Sequence, residues 1–326
     1  MPGRRRLLQL ALAAPLPLAL RRAKAAEAWP TRPVRLILPD APGSGNDTTA
    51  RLIAPALESA LGQPFVVENR GGAGGRIGVE AAYNAPPDGY NFLLGNAGSN
   101  GINAAIYHDL PYDLTNAFEP VSLLVQGPNV LVVNTRLLPV SDLPALIALV
   151  KTRPGRLNYA SGGVGSSAHM SMELFKAAAK LDIVHVPYRG TPAMAQSVIG
   201  GDTGLMFANL VNVMPYIQRG ELKALAVTSL TRAPELPDVP TVAETLPGFE
   251  TLAWNGILAP RGTPEPIRAR LHDVLVGLKK SPTIQDRVRL MGGELVASTP
   301  GEFAARINAD ISKWKALAAQ VGIQAE

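Results

Sequence analysis

The 326-residue chain has no cysteine. That excludes a disulfide framework, a thiol nucleophile and a thiolate metal site. Its four histidines, His108, His169, His185 and His272, show no metal-ligand spacing, so no metal site is expected. Beyond residue 28 no stretch reaches 18 consecutive apolar residues, which excludes a membrane-spanning helix from the body of the chain. Charge is sparse at 17% against 47% hydrophobic residues, a composition that argues for a packed globular protein and against disorder. Acidic residues are missing altogether from the first 26 positions, where Arg4, Arg5, Arg6, Arg21, Arg22 and Lys24 lie. The remaining 25 Lys and Arg face all 26 Asp and Glu, so the overall charge of +5 becomes −1 without that stretch. The basic balance that would suggest nucleic acid or an anionic membrane belongs to a leader, and no nucleic-acid partner is expected.

What is present begins with that leader. Arg4-Arg5-Arg6 precedes an apolar run from Leu7 to Leu20, and Ala23-Lys24-Ala25-Ala26 supplies small residues for cleavage. Residues 1–26 therefore read as a signal peptide, which places the protein in the periplasm. The competing reading is a membrane anchor or interfacial helix. Arg4 to Leu8 also resembles a twin-arginine signal, so the export route stays open.

The rest alternates short β-like runs with helical patterns, the signature of an α/β fold. Strands are expected at 34–38, 65–68 and 91–95, with helices at 47–61 and 77–83. Two apolar runs, 121–125 and 130–133, are split by Gly127-Pro128, which reads as a crossover between domains. The second half repeats the logic with strands at 157–160, 183–187 and 205–207 and helices at 143–151, 169–179 and 192–199. Residues 224–228 read as the returning strand, and three helical segments close the chain. The expected division is 27–125 for the first part of domain 1, 126–226 for domain 2 and 227–326 for the second part of domain 1.

In such folds ligands bind at the carboxyl ends of the strands. Two strand-to-helix loops there are rich in glycine and small polar residues. The first contains Ala41, Pro42, Gly43, Ser44, Gly45, Asn46 and Asp47; the second Ser161, Gly162, Gly163, Val164, Gly165 and Ser166. Glycines let backbone approach a ligand, and free N–H groups at a helix start attract an anion. Asp47 is expected to cap the first helix. Ser99, in a third strand-end loop, is a further candidate donor. Gly163 to Ala168 satisfies G-x-G-x-x-A, but no acidic residue follows the next strand to hold a ribose, so a dinucleotide cofactor is not expected. Gly165-Ser166-Ser167-Ala168-His169 departs from the G-x-S-x-G elbow, and a catalytic triad assembles from distant elements. No catalytic residue is assigned. Trp254 reads equally well as core or as cleft wall.

Several ordered segments resemble one family. Trp29-Pro30-Thr31-Arg32-Pro33-Val34-Arg35-Leu36-Ile37, Ala41-Pro42-Gly43-Ser44-Gly45-Asn46-Asp47, Val66-Val67-Glu68-Asn69-Arg70-Gly71-Gly72-Ala73-Gly74-Gly75 and Pro87-Asp88-Gly89-Tyr90 are similar to Bug-type receptors. These are the extracytoplasmic solute-binding proteins of tripartite tricarboxylate transporters. Leu157-Asn158-Tyr159-Ala160-Ser161, His185-Val186-Pro187-Tyr188-Arg189-Gly190, Leu225-Ala226-Val227-Thr228-Ser229 and Leu236-Pro237-Asp238-Val239-Pro240-Thr241 extend the likeness over the body of the chain. The resemblance implies a type II-like periplasmic-binding-protein fold, two doubly wound α/β domains joined by a two-strand hinge. It implies a small organic carboxylate held by backbone amides and water from the loops Ala41 to Asp47 and Ser161 to Ser166. Delivery to membrane permease subunits by a monomeric receptor with no cofactor follows from the same resemblance. Three positions depart from the family pattern: Ser44 within the first glycine loop, Asn100 where histidine is frequent, and Ala208 in Phe207-Ala208-Asn209, where an aspartate usually precedes Asn209. The alternatives are an orphan receptor feeding a sensor, or a hydrolase or nucleotide-cofactor enzyme using the glycine loops. Under the receptor reading, a β-branched residue at Gly43 or Gly163 should weaken binding and leave the fold intact.

Overall fold

A computed structural model describes residues 29–324. The expected signal peptide and its cleavage point near residue 26 lie outside these residues. In chain order the first elements are β1 (Val34–Leu38), α1 (Gly45–Leu61), β2 (Phe65–Asn69), α2 (Arg76–Tyr83), β3 (Asn91–Asn96), α3 (Asn103–Ile106) and β4 (Phe118–Val133). Then come α4 (Leu143–Lys151), β5 (Asn158–Ser161), α5 (Ser167–Ala179), β6 (Val184–Pro187), α6 (Thr191–Gly200), β7 (Leu205–Asn209), α7 (Leu210–Gln218) and β8 (Lys223–Val227). The chain continues with β9 (Leu252–Pro260), α8 (Glu265–Gly277), α9 (Pro282–Leu290), β10 (Glu294–Leu295) and α10 (Pro300–Val321).

The strands run in the order β2-β1-β3-β9-β4-β7-β5-β6, with β8 and β10 also paired to β4. Each end of this order carries the same unit: β1 lies parallel between β2 and β3, and β5 lies parallel between β6 and β7. Parallel neighbours need a helical crossover, which explains why every strand of these triplets is followed by a helix or helical turn. Alternation along the strands feeds two cores in each half. Leu36 and Leu38 pack with Phe92, Leu94, Val121 and Leu271 on one face, while Ile37 joins Leu93, Leu123, Trp254 and Phe303 on the other. In the second half Leu131 and Val133 join Tyr159 and Phe207, whereas Val130 and Val132 join Ala160 and Met206.

One strand expectation is corrected and one strand was not anticipated. Gly127-Pro128 does not split two strands but sits inside the 16-residue β4. Its first part pairs with β9 as far as Pro128↔Leu252, and from Asn129 onward it pairs with β7 and β8. Proline in a central strand would cost a ladder bond; here it falls at the switch of partners, where the ladder is handed over. The 16-residue strand thus runs from one half of the strand order into the other. The antiparallel β9 between β3 and β4 had no sequence expectation beyond an ambiguous Trp254. Trp254 is core: it is 3% exposed, its Nε1 donates to Asp310 Oδ2 at 2.6 Å, and it meets Phe303 edge-on.

After β8 the chain does not cross at once. Val242 and Phe249 pack into the Leu131–Phe207 core, and the Thr251 N–H donates to the Thr228 carbonyl, which lies against Asn129. This packing favours a return crossing at Thr251–Leu252 over one at residue 227. The helix α10 then spans both halves, because Trp314 and Leu317 share a small apolar cluster with Ile102 just before α3, with Ile106 of α3 and with Met170 of α5. Among the described residues no helix is long and apolar enough to cross a membrane.

Candidate functional site

The two glycine loops stand at the carboxyl ends of β1 and β5, each opening a helix, and their local construction is the same. Ser44 is the N-cap of α1, its Oγ accepting the Asp47 N–H at 3.1 Å; Ser166 is the N-cap of α5, accepting the His169 N–H at 3.2 Å. The cap of α1 is therefore Ser44, not Asp47. Asp47 instead accepts the Gly43 N–H at 2.9 Å and the Arg51 guanidinium at 3.0 Å. Partial burial pushes the Asp47 carboxyl up, but these hydrogen bonds hold it below its ordinary value. Gly43 is thus already spent within the loop. The first amides of a helix have no intrahelical partner. Those of Gly45 and Asn46 in α1, and of Ser167 and Ala168 in α5, are of this kind.

Opposite elements meet across these loops. A methyl group on Gly45 would stand 3.7 Å from Asn212 Nδ2 and 3.8 Å from Asn209 Nδ2, so α1 begins against the end of β7 and the start of α7. A methyl on Gly98 would stand 3.4 Å from the Gly165 carbonyl oxygen, and one on Gly165 3.4 Å from Asn103 Oδ1. The structure therefore sets Gly45 against Asn209 and Asn212, and separately Gly165 against Gly98 and Asn103; Gly98, Asn103 and Asn212 were not singled out by the sequence. Gly162, Gly163 and Val164 lie in the second loop with Gly163 at φ +107°, and Gly43 takes φ +80° in the first, at the exposed crest formed with Ala41 and Pro42. Neither glycine has a neighbour within 4 Å of a built side chain, so space is available there but the backbone conformation disfavours any β-branched residue. Loss of binding in such variants would not separate ligand approach from loop strain, which corrects the test expected from the sequence.

Ser99 has a different task from the expected one. It is 2% exposed, its Oγ donates to Asn100 Oδ1 at 2.7 Å, and its N–H donates to Asn96 Oδ1 at 2.9 Å. It fixes the turn after β3. Asn100 in turn lies against Gly95, where any Cβ would collide with its side chain.

Beneath the first loop sits Asp40. Its Oδ2 receives Asn46 Nδ2 at 2.7 Å and Asn96 Nδ2 at 2.8 Å, and its Oδ1 takes no hydrogen bond from the described residues. Burial pushes this carboxyl up from its ordinary value, against the lowering effect of the two amides, and the nearby Asp47 charge adds to the rise. Beneath the second loop sits an aromatic and imidazole stack instead. Tyr159 and His185 stack at 5.0 Å, and His185 meets His169 at 4.3 Å. Ser161 Oγ lies 2.5 Å from His185 Nε2 and accepts the Gly163 N–H at 3.0 Å, while the Gly165 N–H points to His169 Nδ1 at 3.4 Å. Burial, then the facing His185, pushes His169 down to about 3, and burial lowers His185 as well. Both rings are neutral at pH 7. Tyr159 and Lys176 both donate to Glu173 Oε1 at 2.6 Å, closing the network.

Buried asparagines were invisible to sequence reasoning. Asn46, Asn103, Asn129 and Asn255 each have a buried Oδ1 without a partner among the described residues. Asn129, at the partner switch in β4, donates to Ser167 Oγ at 2.8 Å and Ser171 Oγ at 3.0 Å. Asn255, opposite Asn96 in the β3–β9 register, donates to Thr49 Oγ1 at 3.1 Å. Polar residues at inward positions of otherwise apolar strands were the available signal. Two recesses lie away from the loops: one of about 850 Å³ lined by Pro128, Arg232, Glu235, Arg289 and Glu294, and one of about 260 Å³ beside Asn116 and Arg261. Among the described residues no group of three or more His, Asp or Glu side chains could hold a metal ion.

Comparison with known proteins bears on this geometry. The profile of the tripartite tricarboxylate transporter family receptor matches residues 49–323. Protein BugT of Bordetella pertussis is 34% identical over 299 residues, 91% of either chain. A structure from R. palustris with adipate is 36% identical, with a TM-score of 0.86 over 91% of this chain and 99% of the other. MatC from Rhodopseudomonas palustris with bound malate is 34% identical, with a TM-score of 0.82 over 89% and 99% of the two chains. The periplasmic binding protein BugD is 32% identical, with a TM-score of 0.84 over 91% and 100%. The fold is accordingly the α/β fold of periplasmic solute-binding proteins. The chain belongs to the tripartite tricarboxylate transporter receptor family.

Proposed function

We propose that this protein is an exported receptor that captures a small organic carboxylate between its two halves and presents it to a membrane permease of the tripartite type. The observation that carries this reading is the pairing of two helix starts, α1 and α5, each with two unpartnered amides at the end of a parallel strand. Such amides, aligned with a helix dipole, hold a carboxylate without a basic side chain. This suits a body whose charge is near neutral. Adipate and malate in two similar structures support a carboxylate as the ligand class.

The mechanism follows from the hinge. The ligand bridges the loops Ala41 to Asp47 and Ser161 to Ser166 and so favours the closed arrangement, whose population rises with ligand according to its differential affinity for the two states. Across the two halves Ile102 and Ile106 cluster with Met170, and Gly98 approaches Gly165. The receptor acts as a monomer in the periplasm, and the permease reads the closed surface.

The test is calorimetric titration of the purified protein with a panel of di- and tricarboxylates. Saturable binding of at least one member is expected. No binding across the panel, with turnover of esters or nicotinamide cofactors, would overturn the receptor reading in favour of an enzyme.

A further inference from the structure

The smaller recess, of about 260 Å³, holds donors that the rest of the fold does not use. It lies between the segment leading into β4, the end of β9 and α10, and Leu114, Phe118, Leu258 and Ile307 give it apolar walls. Arg261 lines it, and of its donors only Nη1 is engaged, by the Asn116 carbonyl at 3.0 Å. The one carboxylate on the walls, Glu119, is paired with Arg268 at 3.6 Å, which leaves the Nε–Nη2 edge of Arg261 without a partner among the described residues.

Asn100 supplies a second donor from a side chain whose residue is only 2% exposed. Ser99 Oγ accepts the Asn96 N–H at 3.3 Å, so its own proton goes to Asn100 Oδ1 at 2.7 Å. That engagement fixes Nδ2 as the other end of the amide. Nδ2 has no acceptor among the described residues and, unlike the Oδ1 atoms of Asn46 and Asn129, it is not sealed from solvent. A buried amide with an unused donor on the wall of a cavity calls for an acceptor inside that cavity.

The chemistry of that acceptor follows from the lining. The Nε–Nη2 edge of a guanidinium matches a carboxylate with two parallel hydrogen bonds. Apolar walls with a few convergent polar groups suit an organic body more than a bare inorganic ion, and the small volume asks for a compact one. A second carboxylate would find no second unpaired cation on the walls and would meet Glu119 with like charge.

We propose that this recess is a second binding site, separate from the two glycine loops, that takes a compact organic monocarboxylate with an apolar body and holds it through Arg261 and Asn100. The site stands whether or not the glycine loops bind a ligand of their own.

The experiment titrates the wild-type protein with benzoate and with its neutral isostere benzamide, followed by ligand-observed NMR. Benzoate is expected to bind saturably and at least tenfold more tightly than benzamide. In Arg261→Gln that preference is expected to shrink to about twofold or less. Asn100→Asp keeps an oxygen for Ser99 but turns a carboxylate oxygen toward the ligand in place of Nδ2, and should weaken benzoate by about tenfold or more. The member of the di- and tricarboxylate panel that binds most tightly is expected not to displace benzoate. No saturable benzoate binding, equal binding of benzamide, or a preference that survives Arg261→Gln would overturn the assignment. Displacement of benzoate by the panel member would place it between the glycine loops and overturn the assignment as well. The wild-type ratio needs no variant, and Arg261 is an exposed side chain, so a failure of Asn100→Asp to fold leaves the assignment decided by the other measurements.

Discussion

The two glycine loops share a backbone plan and differ in what supports them. Each is a parallel strand end, a glycine turn at positive φ and a helix capped by serine, Ser44 in one and Ser166 in the other. Under the first loop lies a carboxyl, Asp40, held by two asparagine amides; under the second lie two neutral imidazoles, His169 and His185, packed on Tyr159. Amides at a helix start recognise an anion whatever lies below them. Under the proposed function, the buried support carries the difference between the two ends of a ligand.

The contrast has an opposite pH signature at each end, and this is the largest expected effect. A histidine whose folded pKa is depressed binds fewer protons than its unfolded counterpart, so its stability contribution is complete above about 6.5 and falls as pH drops. For His169 the loss continues down to about 3. Each pH unit below 6.5 costs about 1.4 kcal/mol per such proton. Denaturant unfolding at pH 7 and pH 5 should therefore show a drop of about 2 kcal/mol attributable to His169, and His169→Asn should flatten it. Asp40 has the other sign. Its raised carboxyl favours the folded state below 3.8 and loses that contribution as pH rises. Asp40→Asn should therefore be at least as stable as wild type at pH 7 in the same assay.

Backbone strain comes next. Gly163→Val forces a β-branched residue to φ +107°, at a cost of about 1–3 kcal/mol. Titration should show affinity reduced by roughly tenfold or more, together with lower thermal stability, and Gly43→Val should do the same at the first loop.

The caps follow. Ser44→Ala and Ser166→Ala each remove one hydrogen bond to an N3 amide and should each cost about 1 kcal/mol in denaturant unfolding. Ser44→Ala should cost less than Ser166→Ala, since Asp47 still ties Gly43 to the first turn.

The smallest effect sharpens the comparison without strain. Gly45 is not at positive φ, and a methyl there only reaches ordinary contact with Asn212 and Asn209. Gly45→Ala should leave unfolding within about 0.5 kcal/mol of wild type while weakening ligand binding severalfold, because the methyl lies between the halves.

Much of this site was legible locally. Strand, glycine turn and serine cap fall within ten residues of one another, so 41–47 and 161–166 could be read as equivalent loops from their residues alone. What could not be read depends on distant contacts. Asp40 is in the first loop's own stretch of sequence, but Asn96, 56 residues later, is what turns its carboxyl into an oriented acceptor. Asn129 is one polar residue in a β4 run that reads as apolar, and its partners Ser167 and Ser171 lie about 40 residues on. Gly127-Pro128 reads as a break because proline removes a ladder bond, and only the change from β9 to β7 and β8 explains why the strand runs on. Ser99 looks like a free donor until Asn96 and Asn100 engage it.

The most direct test of the account is a crystal structure of the protein grown with the tightest ligand of the di- and tricarboxylate panel. The account predicts one ligand touching both loops: a carboxylate within hydrogen-bond distance of the Ser167 and Ala168 amides, and its other end against the Gly45 and Asn46 amides. A ligand held by one loop alone, or seated in the 850 Å³ recess beside Arg232 and Arg289, would contradict it.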